Sequence, residues 1–395
     1  MNGLLLSNAR VVCPDSVIQP GWVAISDGRI AAVGPGHPEA ALADGREVID
    51  ANGATLLPGF IDVHVHGAVG HEVMDATVDG LTAMSRFFAT RGVTSFLATT
   101  WTAGEVETLA ALGSVADTSD CPLPGAQILG AHMEGPYLST AKCGAQDPRF
   151  IRPPDLDEAR RFLASGPVRM MTLAPELARA RELVDLCLEH GVRVSVGHTE
   201  ASYEQVVAAA EWGARHVTHT FNAMPPLHHR APGPVGAAIM LPALLAELIA
   251  DNHHVHPAVL AGFLRAKTAE GVVLVTDALR PTGLEMGEFT IGGRPSTVSD
   301  GVVRLADGTL AGSVLTMDVA LRNLAHANAV TPESLWRTAS RNGAVAAGVE
   351  DRKGVIAPGM DADLVLVDRD VDVLLTVVGG RIVHRAADDR VASRQ

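Results

Sequence analysis

Eight short, β-rich apolar segments alternate with amphipathic helical segments between about residue 56 and residue 350. The predicted strands are Thr55–Val65, Val93–Thr100, Gln127–Glu134, Val168–Ala174, Val192–His198, His216–Phe221, Leu244–Ala250 and Val272–Thr276. Among the helical segments, Glu176–His190 carries its apolar residues on one stripe, and Ser202–Trp212 has Ser202 as a candidate N-cap. Eight βα units in series predict an α/β fold, a (β/α)8 barrel of the TIM type. In such a barrel, functional side chains gather at the C-terminal ends of the strands.

Both ends of the chain carry strand and turn patterns instead. Near the N-terminus, Gly21–Ile25 and Arg29–Val33 flank a turn at 26–28, and near the C-terminus Val371–Val378 and Arg381–His384 flank Gly-Gly. Neither end alone has enough strands to be stable, so we expect them to pair into one small β-sandwich. The predicted domains are residues 1–55 with 351–395 for the sandwich and 56–350 for the barrel. A further β excursion, roughly Glu288–Leu310, follows the eighth strand.

Composition restricts the class of partner. With 31 Lys and Arg against 45 Asp and Glu, the formal charge is −14, which argues against nucleic acid or an anionic membrane surface as the main partner. The most apolar stretch, residues 236–250, is interrupted by Pro242 and Glu247 and is too short to span a bilayer. The N-terminus has no secretory pattern, and the four cysteines are scattered. We therefore expect a cytoplasmic protein with reduced thiols and no membrane partner.

Side chains that could ligate a metal stand at the strand ends. His64 and His66 close the first strand and share a face, because strand side chains alternate. The other candidates each stand at the end of a different strand: Glu134, His198, His219 and Asp277. A barrel brings these ends around one mouth, and imidazole nitrogens with carboxylate oxygens are the ligands of catalytic zinc or iron sites. The sequence therefore predicts a divalent metal centre at the barrel mouth.

Two further histidines are expected to have structural roles. His132 has the same strand parity as Glu134, so we expect it one layer deeper in the barrel, where it supports or packs under the site. His216 precedes His219 by three residues and points to the opposite side of a regular strand. This parity excludes His216 as a co-ligand.

The motifs resemble those of a known family. The run from Pro58 to Gly67 (Pro-Gly-Phe-Ile-Asp-Val-His-Val-His-Gly) and the segment 354–368 resemble the amidohydrolase superfamily. More narrowly, the segments 132–137, 197–199, 218–225, 275–278 and 311–317 resemble its N-acetylglucosamine-6-phosphate deacetylases. The resemblance covers nearly the whole chain. It implies a metal-dependent, homodimeric enzyme that hydrolyses N-acetylglucosamine 6-phosphate to glucosamine 6-phosphate and acetate.

The same resemblance implies roles for the metal-site residues. The main metal position is implied to consist of Glu134, His198 and His219. His64 and His66 are implied to help form a second position, with Glu134 as the bridge. Asp277 is implied to be a metal-site residue and the catalytic acid/base. One or two divalent ions are therefore expected, with zinc favoured and iron or manganese compatible with the same ligands.

Substrate contacts are implied as well. Asn222 and Ala223, after the sixth strand, are implied to contact the sugar phosphate, and Arg230 and His254 to reach the phosphate across a dimer interface. Where the family usually has a histidine that polarises the acetyl carbonyl, this chain has Gln146. The Gln146 amide can donate a hydrogen bond but carries no positive charge. Either a second metal acts as the Lewis acid, or the substrate differs from the family norm.

Two alternatives stay open at this point. The first is a deacetylase for another N-acyl amino sugar phosphate, or for an unphosphorylated sugar. The second is a catalytically silent metal-binding homologue, which the retention of all six candidate metal and acid/base groups disfavours.

Overall fold

A computed structural model describes residues 3–387 and 392–394 and contains a parallel barrel. Its eight strands are Phe60–Val65, Val93–Thr100, Gln127–Glu134, Val168–Leu173, Arg193–Val196, His216–Val217, Leu245–Ile249 and Val272–Val275. The strands are hydrogen-bonded in chain order. Beyond the last strand, the backbone N–H of Asp277 donates to the carbonyl oxygen of His64 (2.9 Å), which closes the barrel at its C-terminal end. The predicted (β/α)8 fold is confirmed.

Helices follow most of the barrel strands. The α-helices are Val78–Ala89, Glu105–Ser119, Leu156–Ala164, Ala180–Glu189, Tyr203–Trp212, Gly233–Met240, Pro257–Lys267, Met317–Asn328, Trp336–Ala339 and Arg341–Ala347. Short 3-10 turns occur at Ala40–Leu42, Val73–Asp75, Thr140–Lys142, Ala269–Gly271 and Pro332–Leu335. Ser202 caps its helix as predicted, since its side chain accepts from the Gln205 N–H and Gln205 bonds back to the cap. The helix predicted from Glu176 begins only at Ala180, because Arg179 before it has a φ of 65°.

The two ends of the chain share one nine-stranded sheet. Its strands are Gly3–Val12, Val17–Ser26, Arg29–Pro35, Arg46–Asp50, Thr55–Pro58, Leu364–Val367, Val373–Val378, Arg381–Arg385 and Ala392–Arg394. Thr55–Pro58 pairs parallel with Gly3–Val12 and antiparallel with Leu364–Val367, so it joins the N-terminal strands to the C-terminal ones. A separate apolar core that includes Leu6, Val23 and Leu366 fills this unit. The predicted small β-sandwich built from both termini is thereby confirmed.

The first predicted strand is divided at Gly59. Thr55–Pro58 belongs to the terminal sheet and Phe60–Val65 to the barrel. The Gly59 N–H donates to the Asp363 carbonyl (2.9 Å), and a Cβ at Gly59 would lie 2.2 Å from Thr94 Oγ1. The single predicted strand was therefore wrong, because the chain passes here from one sheet to the other through a space that only glycine fits.

The fifth and sixth barrel strands are shorter than predicted. They end at Val196 and Val217, before the histidines at 198 and 219. His198, His219 and Asp277 have φ values of 46°, 26° and 49°. A residue with positive φ cannot continue a strand, so the chain leaves the sheet at each of these positions. Backbone strain of this kind is concentrated at functional sites.

A four-stranded antiparallel sheet follows the eighth barrel strand, as predicted for the β excursion. Its strands are Gly287–Ile291, Arg294–Ser299, Val302–Leu305 and Leu310–Ser313. The Ser313 N–H donates to the Asp277 carbonyl (2.8 Å), which anchors this sheet at the barrel mouth. A small two-stranded pairing of Gly67–Ala68 with His71–Glu72 lies after the first barrel strand. Among the described residues, no helix is both long and apolar enough to cross a membrane.

Candidate metal centre

Six buried side chains from five strand ends converge at the barrel mouth. They are His64, His66, Glu134, His198, His219 and Asp277. Glu134 lies at the centre of the cluster. Its Oε1 is 3.1 Å from His198 Nε2 and 3.0 Å from His219 Nε2, and its Oε2 is 3.2 Å from His66 Nε2.

The six groups form two overlapping sets that share Glu134. One set is Glu134, His198 and His219, and the other is His64, His66 and Glu134. Asp277 borders the second set, with Oδ1 3.4 Å from His66 Nε2 and 3.7 Å from His64 Nε2. One carboxylate between two groups of imidazoles is an arrangement that could serve two cations at once.

The protonation pattern of the imidazoles fits a divalent cation. His198 Nδ1 lies 2.8 Å from the Lys142 carbonyl oxygen, which can only accept, so in the neutral imidazole Nδ1 carries the proton and Nε2 presents a lone pair. The Nε2 atoms of His198 and His219 are only 3.1 Å apart around the same Glu134 oxygen. His64 Nε2 is buried without a hydrogen-bond partner in the described part of the chain. Lone pairs and a carboxylate at these distances repel one another unless positive charge lies between them.

Electrostatics favour positive charge at the same place. Burial by itself would lower the pKa of His64, but the negative charges of Glu134, Asp277 and Glu247 raise that pKa well above its ordinary value. Burial would raise the pKa of Asp277, but the charge of His64 and a hydrogen bond from His66 lower it below its ordinary range. The field that favours a proton on these imidazoles favours a metal cation in the same way.

His132 and His216 lie outside the two metal sets that contain Glu134. His132 contacts the Val63 carbonyl through Nδ1 (3.0 Å) and Thr172 Oγ1 through Nε2 (2.7 Å), and its ring packs 4.8 Å from that of His64. Burial lowers the pKa of each histidine to about 3, so both are neutral near pH 7. His132 therefore supports the layer beneath the site.

A cavity of about 260 Å³ opens over the cluster. Four of the five predicted substrate residues line it: Gln146, Asn222, Ala223 and His254. The resemblance implied that His254 reaches the phosphate across a dimer interface, whereas the structure places it at the cavity of its own chain. His254 is held by an ion-pair contact from Nδ1 to Asp251 Oδ2 (2.7 Å). Arg230 is not brought into this cavity. It is exposed, with Nη1 2.7 Å from His229 Nε2.

Gln146 is fixed between two groups of the site. Its amide nitrogen donates to Glu134 Oε2, and its carbonyl oxygen accepts from the Thr102 N–H (2.7 Å). The side chain thus orients the central carboxylate. One amide N–H is left over for a further acceptor.

Three residues at the site carry no recognisable motif in the sequence. Trp101 stacks on His66 with ring centroids 4.1 Å apart, Glu247 Oε2 lies 3.0 Å from His64 Nδ1, and Arg304 lines the cavity. A weak signal exists for two of them. Glu247 is the one charged residue of the buried strand Leu245–Ile249, and Trp101 directly follows a barrel strand. Nothing in the local sequence marks Arg304.

Comparison with known proteins identifies the family of this chain. A family model described as the amidohydrolase family matches residues 55–383. The chain belongs to the amidohydrolase family. This amidohydrolase is 37% identical over 392 residues to the N-acetylglucosamine-6-phosphate deacetylase of Bacillus subtilis, covering 98% of both chains. It is 36% identical over 380 residues to the N-acetylgalactosamine-6-phosphate deacetylase of Escherichia coli O157:H7, covering 96% of this chain and 98% of the relative.

A solved structure gives the same picture. A variant of the N-acetyl-D-glucosamine-6-phosphate deacetylase from Mycobacterium smegmatis, in complex with N-acetyl-D-glucosamine-6-phosphate, matches with a TM-score of 0.90 and 34% identity. The match covers 97% of this chain and 100% of that one. The resemblance inferred from the motifs is confirmed, and with it the prediction of a metal-dependent amidohydrolase.

Metal loading is expected to stabilise this amidohydrolase. Because the lone pairs around Glu134 converge only in the folded chain, an ion that they hold shifts the folding equilibrium by mass action. Zn²⁺ at about 100 times its Kd should raise the free energy of unfolding by about 2.7 kcal/mol over chelator-treated protein, measured as a higher Tm by calorimetry. Mg²⁺, which prefers oxygen ligands, is the matched control. An unchanged Tm with Zn²⁺ would contradict the cation site.

Proposed function

We propose that this amidohydrolase hydrolyses N-acetylglucosamine 6-phosphate to glucosamine 6-phosphate and acetate at a divalent metal centre, with zinc as the favoured metal. The observation that carries the proposal is the cluster of six buried imidazoles and carboxylates around Glu134 at the barrel mouth. The 37% identity to the B. subtilis enzyme of that name, over nearly the whole chain, supports the choice of substrate. Acetate release from the pure compound tests it directly, and metal-loaded protein that releases none would overturn it.

We propose that this cluster holds one or two metal ions. Glu134, His198 and His219 would hold the first. His64, His66, Asp277 and the shared Glu134 would hold the second. A metal bound there supplies Lewis acidity, which lowers the pKa of water to about 7 and polarises the amide carbonyl.

Asp277 is the residue we assign to proton transfer. Amide hydrolysis requires that the attacking water lose a proton and that the departing amine gain one. The Oδ1 atom of Asp277 faces the imidazoles of His66 and His64, so Oδ2 is the proton site we propose. The water oxygen joins the acetyl carbon, the C–N bond breaks, and the amine leaves with the proton that Asp277 held. The products are acetate and the free amino sugar.

The remaining cavity residues are proposed to bind and orient the substrate. Trp101 stacks on His66 and restricts its ring, and Gln146 holds Glu134 in place. Asn222, Ala223 and His254 line the part of the cavity that we assign to the sugar phosphate. His254 is supported there by Asp251.

We further propose that the protein acts as a cytoplasmic homodimer. Arg230 is exposed and does not line its own cavity, and two large apolar side chains of the same region, Leu227 and Met240, are 52% and 65% exposed. Association through this surface would cover apolar area and would let Arg230 reach the phosphate in the partner's cavity.

Replacing Arg230 tests the phosphate contact. Arg230→Met is expected to raise KM for N-acetylglucosamine 6-phosphate by about 10–100-fold, because a charge-assisted hydrogen bond contributes about 1.5–3 kcal/mol. The rate with unphosphorylated N-acetylglucosamine should not change, and Arg265→Met, at an exposed position late in the helix Pro257–Lys267, is the control. An equal loss with both sugars would remove Arg230 from the phosphate site.

A second candidate substrate is N-acetylgalactosamine 6-phosphate, the C4 epimer. The 36% identity to the E. coli enzyme named for it nearly equals the identity to the glucosamine relative. Steady-state kinetics with both epimers decide between them. A higher kcat/KM for the galactosamine compound would assign this substrate instead.

A further inference from the structure

Glu247 is a fully buried carboxylate beneath the proposed metal centre, on the seventh barrel strand, Leu245–Ile249. Its Oε2 atom lies 3.0 Å from His64 Nδ1 and accepts the backbone N–H of His219 at 3.0 Å. Its backbone carbonyl accepts the Thr220 N–H at 2.9 Å. One side chain therefore touches a histidine of each metal set.

The contact with Glu247 determines which ring nitrogen of His64 carries the proton and which one presents a lone pair to the site. An ionised carboxylate can only accept, so the proton of a neutral His64 lies on Nδ1, pointing to Glu247. The Nε2 lone pair then points toward Glu134 Oε1 (3.4 Å) and Asp277 Oδ1 (3.7 Å). A histidine that donates its other N–H to a carboxylate is held in the ligating tautomer and becomes a more basic ligand.

Apart from His64, no cationic side chain in the described part of the chain balances the charge of Glu247. Among residues 3–387, His64 is the one ion-pair contact of this carboxylate, and neither Lys nor Arg pairs with it. The Oε1 atom is buried without a hydrogen-bond partner in the same part of the chain. An ionised buried carboxylate is costly unless positive charge lies close by. A cation held by His64 Nε2 would supply that charge.

We propose that Glu247 is a positioning residue for the second metal position: it holds His64 with Nε2 turned into the site and adds negative charge behind it. The inference rests on the proposed metal centre. Glu247 is expected to affect the ion at His64 and His66 more strongly than the ion at Glu134, His198 and His219. The reason is that Glu247 contacts the side chain of His64 but only the backbone of His219.

The test measures metal binding and does not depend on activity. Apo wild type and Glu247→Gln are titrated with Zn²⁺ by equilibrium dialysis, and Co²⁺ spectra report the two positions. We expect the affinity for the second ion to fall about 10–100-fold, the usual effect of losing such a partner, with little change for the first ion. Glu158→Gln, a buried glutamate that pairs with Arg152 outside the site, is the matched control.

Glu247→Asp keeps the inference testable if the glutamine variant does not fold. It retains the charge but shortens the side chain, so the second ion should bind with intermediate affinity. Unchanged binding of both ions, an equal loss at both positions, or a wild type that binds a single ion would each overturn the inference. A wild type that binds two ions in a Glu247-dependent manner but releases no acetate would refute the proposed substrate and leave the role of Glu247 standing.

Discussion

Asp277→Asn is expected to lower kcat for acetate release by about 10²–10⁴-fold, the range that a positioned acid/base contributes. Asparagine keeps the shape of the side chain and one oxygen toward His66, so the fold and the ion assigned to Glu134, His198 and His219 should stay near those of the wild type. The amide cannot accept a proton from water or return one to the amine. Steady-state assays of acetate release measure kcat, and elemental analysis of the same sample measures the bound metal.

The control for this variant is another buried aspartate. Asp318 lies on the helix Met317–Asn328, pairs with Arg91 at 3.7 Å and does not line the cavity, and Asp318→Asn removes its carboxylate. Its kcat should equal that of the wild type. Near-normal turnover by Asp277→Asn would rule out Asp277 as the proton carrier.

Glu134→Gln is expected to abolish metal binding at both positions and to lower kcat/KM by about 10³-fold or more, since water then keeps its high pKa. The reason is the shared position of this carboxylate. Its two oxygens contact imidazoles of both sets, and an amide would direct its N–H groups at nitrogens whose lone pairs face the same space. Zinc per chain by elemental analysis and acetate release are the two measurements.

Glu158→Gln is again the matched control and should bind zinc and turn over normally. Loss of a single ion by Glu134→Gln would mean that Glu134 does not bridge two positions. Retention of both ions would remove Glu134 from the metal centre altogether.

The amide of Gln146 explains how the site can accommodate the departure from the family pattern. Its nitrogen donates to Glu134 and its oxygen accepts from Thr102, so the side chain serves the central carboxylate. Under the proposed function, polarisation of the acetyl carbonyl would then fall to a metal held by the cluster that includes His64 and His66.

Local sequence patterns determined the architecture of this protein and the identity of its candidate ligands. The alternation of apolar strands with amphipathic helices predicts the barrel, and strand parity alone separates His64 and His66 from Val63 and Val65. Position at a strand end brings Glu134 to the mouth. These properties depend only on near neighbours in the chain, so they can be recognised from the sequence alone.

Tertiary structure decided the rest. That Glu247 supports His64, that Trp101 covers His66 and that Arg304 reaches the cavity depend on how the barrel closes and how the sheet after the eighth strand folds over it. The same is true of the break at Gly59, which is set by the space that Thr94 leaves on another strand. Contacts between residues far apart in the chain arise from packing, and no periodicity within a single segment encodes them.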